Sequence, residues 1–440
     1  MVASLGQLLD LMRHHGAHRI YAKQLSPNDN SKNQVYLGGG FAALNVVPHG
    51  EVYTDASEKA GSVRDRAKAD VEFYWVNEAG RHRAPDANLI LYPKYPEVRM
   101  SGFLKGCKAA PSKLLTVRDE GRAMFFGVTR DGVVLGYVTD ADNPITKELA
   151  AGAWPTLGVF IELPLSLDQP ADPKTILLDE LRRIYQLNWI MSQKLAKDGT
   201  KVSYAARNGG GYTLEAELGI TPNGYAEPDF MGWEVKQYGV NNFTAFRPKS
   251  PVTLMTPEPT GGIYKTEGVA EFLKRFGYAD QSGKEDRFNF GGRYDCTRDH
   301  HHLTGLRMML TGYDAASSKI ADIDGGMALV NAIGEVAASW TFKGLMAHWN
   351  RKHAQAAYVP SLSRTPPPEY CYGAQVLLCE QTDFLLFLKA FATGTVYYDP
   401  AVKIEKASSA KPDIKRRSQF RVAHADLTQL YQRNETVVLI

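Results

Sequence analysis

The stretch Pro164–Thr175 constrains the fold of this chain more than any other feature. It holds three prolines and two aspartates and little apolar periodicity. A segment of that kind breaks regular structure and joins separate cores. At 440 residues the chain is also long for a single hydrophobic core. The expected layout is two domains, residues 1–165 and 176–440, with residues 166–175 as the linker.

The patterning differs on the two sides of the break. Before it, short runs of β-forming residues (Arg19–Leu25, Val71–Val76, Asn88–Tyr92, Val98–Phe103) are separated by Gly, Pro and Asn. Ala123–Thr129 and Val133–Thr139 flank Arg130-Asp131-Gly132, a hairpin signal because Asp-Gly tolerates the positive φ of a tight turn. These strands predict a barrel or sandwich. After the break, Leu177, Leu181, Ile184, Leu187, Ile190, Met191 and Leu195 recur at helical spacing. A helix capped by Thr175 is therefore expected from Ile176 to about Lys197. Further helices are expected near residues 265–276, 326–353, 381–392 and 424–433, which makes the second domain mixed α/β.

Composition serves mainly to exclude. With 44% hydrophobic and 22% charged residues the chain reads as an ordinary globular protein. No apolar run approaches the roughly 18 residues of a membrane span. Leu8–Met12, with Asp10 inside it and Arg13 after it, is no signal peptide, so a cytoplasmic location is expected. Cys107, Cys296, Cys371 and Cys379 form no CxxC pair and no disulfide framework. Cys296 stands near His300, His301 and His302, but no second ligand pair follows, so an incidental thiol outweighs a zinc site. The net charge of +3 says little. Locally, Lys403, Lys406, Lys411, Lys415, Arg416, Arg417 and Arg421 face only Glu405 and Asp413, a cluster that suits either phosphate contact or a solvated basic surface.

The chemistry is concentrated in Ala226-Glu227-Pro228-Asp229-Phe230-Met231-Gly232-Trp233-Glu234-Val235-Lys236. Strand residues alternate faces, so Glu234 and Lys236 project together while Val235 turns to the core. Asp229 lies across the Met231-Gly232 bend, which can return its carboxylate to Glu234. Two carboxylates and a lysine are what phosphodiester hydrolysis uses: oxygen ligands for a hard cation such as Mg²⁺, and an ammonium to orient water or neutralise the transition state. A bare Glu-x-Lys triplet is more often a solvated strand face; the upstream Pro-Asp and the glycine bend shift that balance.

Tyr212-Thr213-Leu214-Glu215 through Leu218-Gly219-Ile220, then Pro222-Asn223 and Ala226-Glu227-Pro228-Asp229, resemble the signature of the MvaI/BcnI group of restriction endonucleases, relatives of MutH in the PD-(D/E)xK nuclease superfamily. The resemblance continues through Gly292-Arg293-Tyr294, Thr304-Gly305-Leu306, Gly312-Tyr313-Asp314, His348-Trp349, Lys352-His353, Tyr358-Val359-Pro360 and Arg417-Ser418-Gln419-Phe420-Arg421. It implies a restriction-endonuclease-like α/β fold acting as a monomer on double-stranded DNA. Asp229 and Glu234 would be metal ligands, Lys236 would position the nucleophile, and Glu215 would support the metal–water network; Glu217 and Glu227 would be bystanders. Arg293, Arg298, His300 and His302 are candidates for base-edge contacts, since Arg binds guanine bidentately. Lys415, Arg416 and Arg421 would hold phosphates. For any single histidine, His302 or His353 included, packing against neighbouring chain is the commoner role.

The N-terminal segment Tyr21-Ala22-Lys23-Gln24-Leu25-Ser26-Pro27-Asn28-Asp29, with Gln34 after it, is similar to the opening of the EcoRII-type effector domain, a B3-like pseudobarrel. By that similarity Lys23, Asn33, Gln34, Arg81 and Arg99 would lie on or near two DNA-gripping arms; an oligomerisation barrel is the competing reading. The combination implies a type IIE restriction endonuclease that binds a second copy of its site, with a CCWGG-like target and a cognate cytosine methyltransferase. A MutH-like nicking enzyme of repair and a catalytically silent DNA-binding protein are the alternatives.

Overall fold

The computed structural model describes every residue except 1, 28–33, 60, 61, 64, 168–172, 207 and 222–228. Among the described residues no helix is long and apolar enough to cross a membrane. The chain divides into two compact units, Met1–Thr175 and Ile176–Ile440.

The first unit is built on two sheets. Strands 156–157, 160–163, 17–24, 123–129, 134–139, 73–77 and 80–83 neighbour one another in that order in a seven-stranded sheet. Strands 34–39, 97–101, 88–92, 67–70 and 52–54 make a five-stranded one. The expected hairpin pairs Ala123–Val128 with Val134–Thr139, and Gly132 takes φ +81° in its turn. All seven residues of Ala123–Thr129 are buried, because both faces of this strand are covered. On one face Ala22, Phe125 and Leu135 pack against Leu5, Leu8, Leu9 and Met12 of helix Leu5–His14, and against Ile145 and Leu149 of helix Pro144–Ala151. On the other, the rings of Tyr21 and Phe126 meet Phe160 edge-on. Both helices are absent from the sequence reading, in which Leu8–Met12 registered only as a short apolar run. Leu5, Leu8, Leu9 and Met12 stand at helical spacing, and the Ser4 hydroxyl caps the start by accepting from the Gln7 N–H.

The second unit opens with helix Pro173–Gln186, not the longer helix expected from Ile176. Thr175 is therefore inside the helix and does not cap it. Proline suits a first helical turn, and Asn188 at φ +61° ends the run; Ile190–Met191 and Gln193–Leu195 continue as strands. Leu177, Leu181 and Ile184 pack with Leu214, Trp233, Val235, Ala357, Val359 and Leu378 into the unit's core. Residues 326–353 also differ from expectation: Gly326–Val330 and Val336–Thr341 are paired strands, and only Phe342–Lys352 is helical. Their alternating apolar residues satisfy a two-residue period over this short stretch, and the Thr341 hydroxyl then caps the helix by accepting from Gly344 N–H at 3.2 Å. The segment near 265–276 divides at Gly268, φ +90°, and 424–433 is a 3₁₀ turn, His424–Leu430, leading into a strand.

The second unit's main sheet runs 190–191, 369–372, 355–364, 375–380 and 433–438, with Glu234–Gly239 pairing parallel to Gln355–Arg364. That parallel strand carries the candidate chemistry.

Leu181 is 2% exposed in this core. Truncating such a side chain costs about 2–5 kcal/mol. Leu181→Ala should lower the unfolding free energy of the second unit by that amount in a denaturant titration, whereas truncating Leu187 on the exposed side should change it little.

Candidate active site

Asp229 returns to the strand through a two-residue hairpin. Met231 and Gly232 both adopt the left-handed region, at φ +46° and +92°, and Phe230 and Trp233 exchange backbone hydrogen bonds of 2.9 and 2.8 Å. Glycine takes this conformation without strain; Met231 holds it at a cost of order 1 kcal/mol. Trp233, 1% exposed, anchors the far side of the turn in the core. The result is that Asp229 Oδ2 accepts the Val235 N–H at 3.0 Å, with Glu234 and Lys236 on either side of that residue.

Glu234 is buried. Its Oε1 accepts from Lys236 Nζ at 2.8 Å, and its Oε2 is buried with no partner. A buried carboxylate oxygen without a donor is costly unless something positive completes it. Burial raises the Asp229 carboxyl to about 7, with Glu234 adding repulsion and the Val235 N–H and Lys236 opposing it. Burial alone would lower the Lys236 ammonium; Glu234, Asp229 and Glu215 outweigh it and hold the group above its ordinary value. The site thus carries more negative charge than its one lysine satisfies. Its donor set of hard oxygens, one of them orphaned, fits a hard divalent cation.

Glu215 projects from helix Gly209–Glu217, which packs against strand Glu234–Gly239, and its charge acts on both Asp229 and Lys236. Glu217 is two positions on and so faces another way. There its carboxylate accepts from Lys201 Nζ and Gln193 Nε2, each at 2.6 Å, and pairs with Arg183 at 3.5 Å. Glu217 thereby ties the helix carrying Glu215 to helix 173–186 and to hairpin 193–203. Glu227 and the Pro222-Asn223 phrase lie outside the described residues.

Beyond Lys236 the same strand alternation continues to Tyr238, a residue that the sequence motif does not include. Its ring meets that of His424 at a tilt of 40°, with centroids 4.2 Å apart, and His424 Nε2 is buried without a partner. Period-two counting finds Tyr238; nothing local announces His424, which comes from far along the chain.

The DNA-contact candidates are arranged unevenly. Arg293 and Arg298 both pair with Asp295, each at 3.1 Å. His300 Nδ1 lies 2.9 Å from the Asp299 carboxylate, and His302 stacks on His301 at 4.8 Å. His353 is 0% exposed, stacked on Trp349, with Nε2 3.1 Å from the Leu254 carbonyl, a packing histidine. Arg421 corrects an expectation: it bonds Asp399 at 2.7 Å and the Pro251 carbonyl at 2.6 Å, so its guanidinium is spent within the fold rather than left for phosphate. Lys415 faces Glu405 and Asp413 on a mixed-charge sheet, and Arg416 is exposed.

In the first unit Lys23 is a second correction. It is 5% exposed and donates to the Gln24 carbonyl at 3.0 Å, because its strand is covered on both faces. Gln34 and Arg99 share one face of the five-stranded sheet, where Gln34 is opposite Ser101 and Tyr36 opposite Arg99; Arg99 pairs with Glu97 at 2.9 Å. Arg81 is exposed on the edge strand of the other sheet, over the Tyr74 ring. Asn33 lies outside the described residues.

A model of the MvaI/BcnI restriction endonuclease family matches residues 178–431. Among solved structures, restriction endonuclease MvaI in complex with cognate DNA is matched at 16% identity and a TM-score of 0.43, over 62% of this chain and 100% of that one. MvaI in the absence of DNA is matched at 15% identity and a TM-score of 0.34, over 61% and 99%. No curated protein matches the chain.

The raised Asp229 carboxyl has a definite sign for stability. The metal-free fold favours its protonated form, so that contribution is complete below the ordinary value of 3.8 and is lost as pH rises through about 7. Asp229→Asn keeps an acceptor for the Val235 N–H and removes the charge. In EDTA at alkaline pH this variant should melt higher than wild type, and its melting should lose the extra pH dependence; Mg²⁺ should stabilise wild type but not the variant. Calorimetric scans between pH 5 and 8.5 read all three effects.

Proposed function

The chain belongs to the MvaI/BcnI restriction endonuclease family, and from that premise we propose that it is a Mg²⁺-dependent endonuclease hydrolysing double-stranded DNA at a short specific sequence. The observation that carries the reading is the orphaned Glu234 Oε2 in a carboxylate pair whose single ammonium, Lys236, is already bonded to the other oxygen. Asp229 and Glu234 would hold the cation. Among the described residues no three acidic, histidine or cysteine side chains form a metal cage. A two-carboxylate site suits Mg²⁺, which retains waters and takes phosphate oxygens as ligands. When bound, the cation supplies charge neutralisation at the phosphate and acidifies water.

Lys236, bonded to Glu234 Oε1, would orient an attacking water, with its proton retained by the charges of Glu234, Asp229 and Glu215. An ammonium held in that state stabilises developing negative charge better than it abstracts a proton. Glu215 contributes the third negative charge of that set. Cleavage of both strands by one such centre in a monomer follows the family's pattern.

For the first unit we read the face bearing Gln34, Tyr36 and Arg99 as a DNA contact surface that takes a second copy of the site, the type IIE arrangement. Its outward polar row on a sheet whose inner residues are buried supports this use. A CCWGG-like target and a partner cytosine methyltransferase complete the proposal.

Two outcomes are expected. Asp229→Ala or Lys236→Ala should abolish cleavage of a duplex library in Mg²⁺ while binding to the preferred sequence persists; near wild-type cutting by either variant sinks the site assignment. A plasmid carrying two sites should be cut faster than one carrying a single site, and Arg99→Ala should erase that difference without slowing the single-site plasmid.

A further inference from the structure

The strongest unassigned feature is a buried carboxylate serving exposed cations. Asp295 is 1% exposed. Its Oδ1 accepts from the Thr297 backbone N–H at 3.1 Å and from the Thr297 hydroxyl at 2.6 Å. Its Oδ2 accepts the Nε–H of Arg293 and the Nε–H of Arg298, each at 3.1 Å. The two arginine side chains are themselves 43% and 56% exposed.

An ion pair with both partners at the surface, or with both buried, contributes little net stability. Here the carboxylate is fully withdrawn and the cations are presented. The geometry of the contact matters. Binding at Nε fixes the plane of each guanidinium from its stem side and leaves N–H groups of the terminal nitrogens for other acceptors. Arg293 is held further by its Nη2 donating to the Gly394 carbonyl at 3.0 Å and by the Tyr397 ring, 4.0 Å beneath it. The shelf beneath is tight. Gly394 lies at φ +74°, and a Cβ there would meet Thr297 Oγ1 at 3.0 Å and Asp295 Oδ1 at 3.2 Å.

We propose that Asp295 is a positioning residue that holds Arg293 and Arg298 as a paired head for reading guanine edges in the major groove. This rests on the endonuclease reading above. Guanine offers O6 and N7 side by side, and a guanidinium whose orientation is already set loses less rotamer freedom on meeting them than a free one. Without the carboxylate, two guanidiniums this close repel each other and swing apart. Both would still attract phosphate, but neither would be aimed. Asp295 therefore governs selectivity, while net attraction to DNA is left to the arginines.

The test uses the full chain and a duplex library holding every variant of a short site, cut in Mg²⁺, with Asp229→Ala as the inactive control. Wild type defines the preferred site and its discrimination against single-base changes. Asp295→Asn should reduce discrimination at guanine positions by about tenfold or more in kcat/KM. Its kcat/KM should fall on the preferred site and hold on sites already changed at a guanine, with its Mg²⁺ dependence unaltered. Arg298→Lys, which keeps the charge but removes the fork, should lose discrimination at one of the same positions, and the double variant should lose no more there. Asp295→Asn with wild-type discrimination overturns the proposal, as does a uniform loss of rate on all sequences. Should Asp295→Asn fail to fold, unaltered selectivity in Arg298→Lys, an exposed position, overturns it instead. A wild-type chain that cuts no library member removes the endonuclease reading and this proposal together; specific cutting by wild type isolates the role of Asp295.

Discussion

Two carboxylates forced together beside one lysine, largely out of water, are the constraint on which the second unit depends. Like charges at that separation in a protein interior repel strongly unless a proton or a cation intervenes. The chain supplies one ammonium, and it bonds Glu234 Oε1, leaving Oε2 unsatisfied and Asp229 reluctant to ionise. Such an arrangement is unfavourable in isolation. It survives because the surrounding fold over-determines it: a left-handed Met231-Gly232 turn, a tryptophan anchoring one end of that turn, and a strand paired along its length to Ala356–Ser361.

The rest of the unit reads as support for that strand. Trp233 and Val235 turn inward to the same core that receives Leu177, Leu181 and Ile184 from the opening helix and Leu214 from the helix bearing Glu215. Glu217 locks the helix bearing both glutamates to its neighbours through three donors, while the charge of Glu215 acts on Asp229 and Lys236. Two glutamates two positions apart thus have different surroundings, because a helix rotates them to different sides. The Asp295 shelf repeats the principle: buried acceptors fix cations that the solvent can still reach. In the first unit burial serves packing instead, with strand 123–129 enclosed between helices and aromatic rings.

The sequence by itself determined what short-range periodicity and turn chemistry can carry. Glu234, Val235 and Lys236 had to alternate faces, Asp-Gly had to turn a hairpin at residue 132, and a Gly bend had to lie between Asp229 and Glu234. Each is decided within a few residues by backbone geometry, so each is legible without a partner. The helices at 5–14 and 144–151 carry the same kind of local signal, apolar spacing and the caps Ser4 and Asn143, set among strand signals that dominate that half of the chain. Residues 326–341 show the limit of the method, since a short apolar run satisfies either period until a partner strand fills its hydrogen bonds.

Only the tertiary structure decided where charge is spent. Lys23 and Arg421 look like any basic residue in a DNA-binding chain, yet one is enclosed by the two coverings of its strand and the other is consumed by Asp399 and a carbonyl 170 positions away. Asp295 looks like a neighbour of Arg293 and becomes the buried anchor of two guanidiniums; His424 meets Tyr238 from the far end of the unit. Burial and electrostatic pairing depend on distances between residues remote in sequence. No local pattern encodes those distances, and packing around the core sets them.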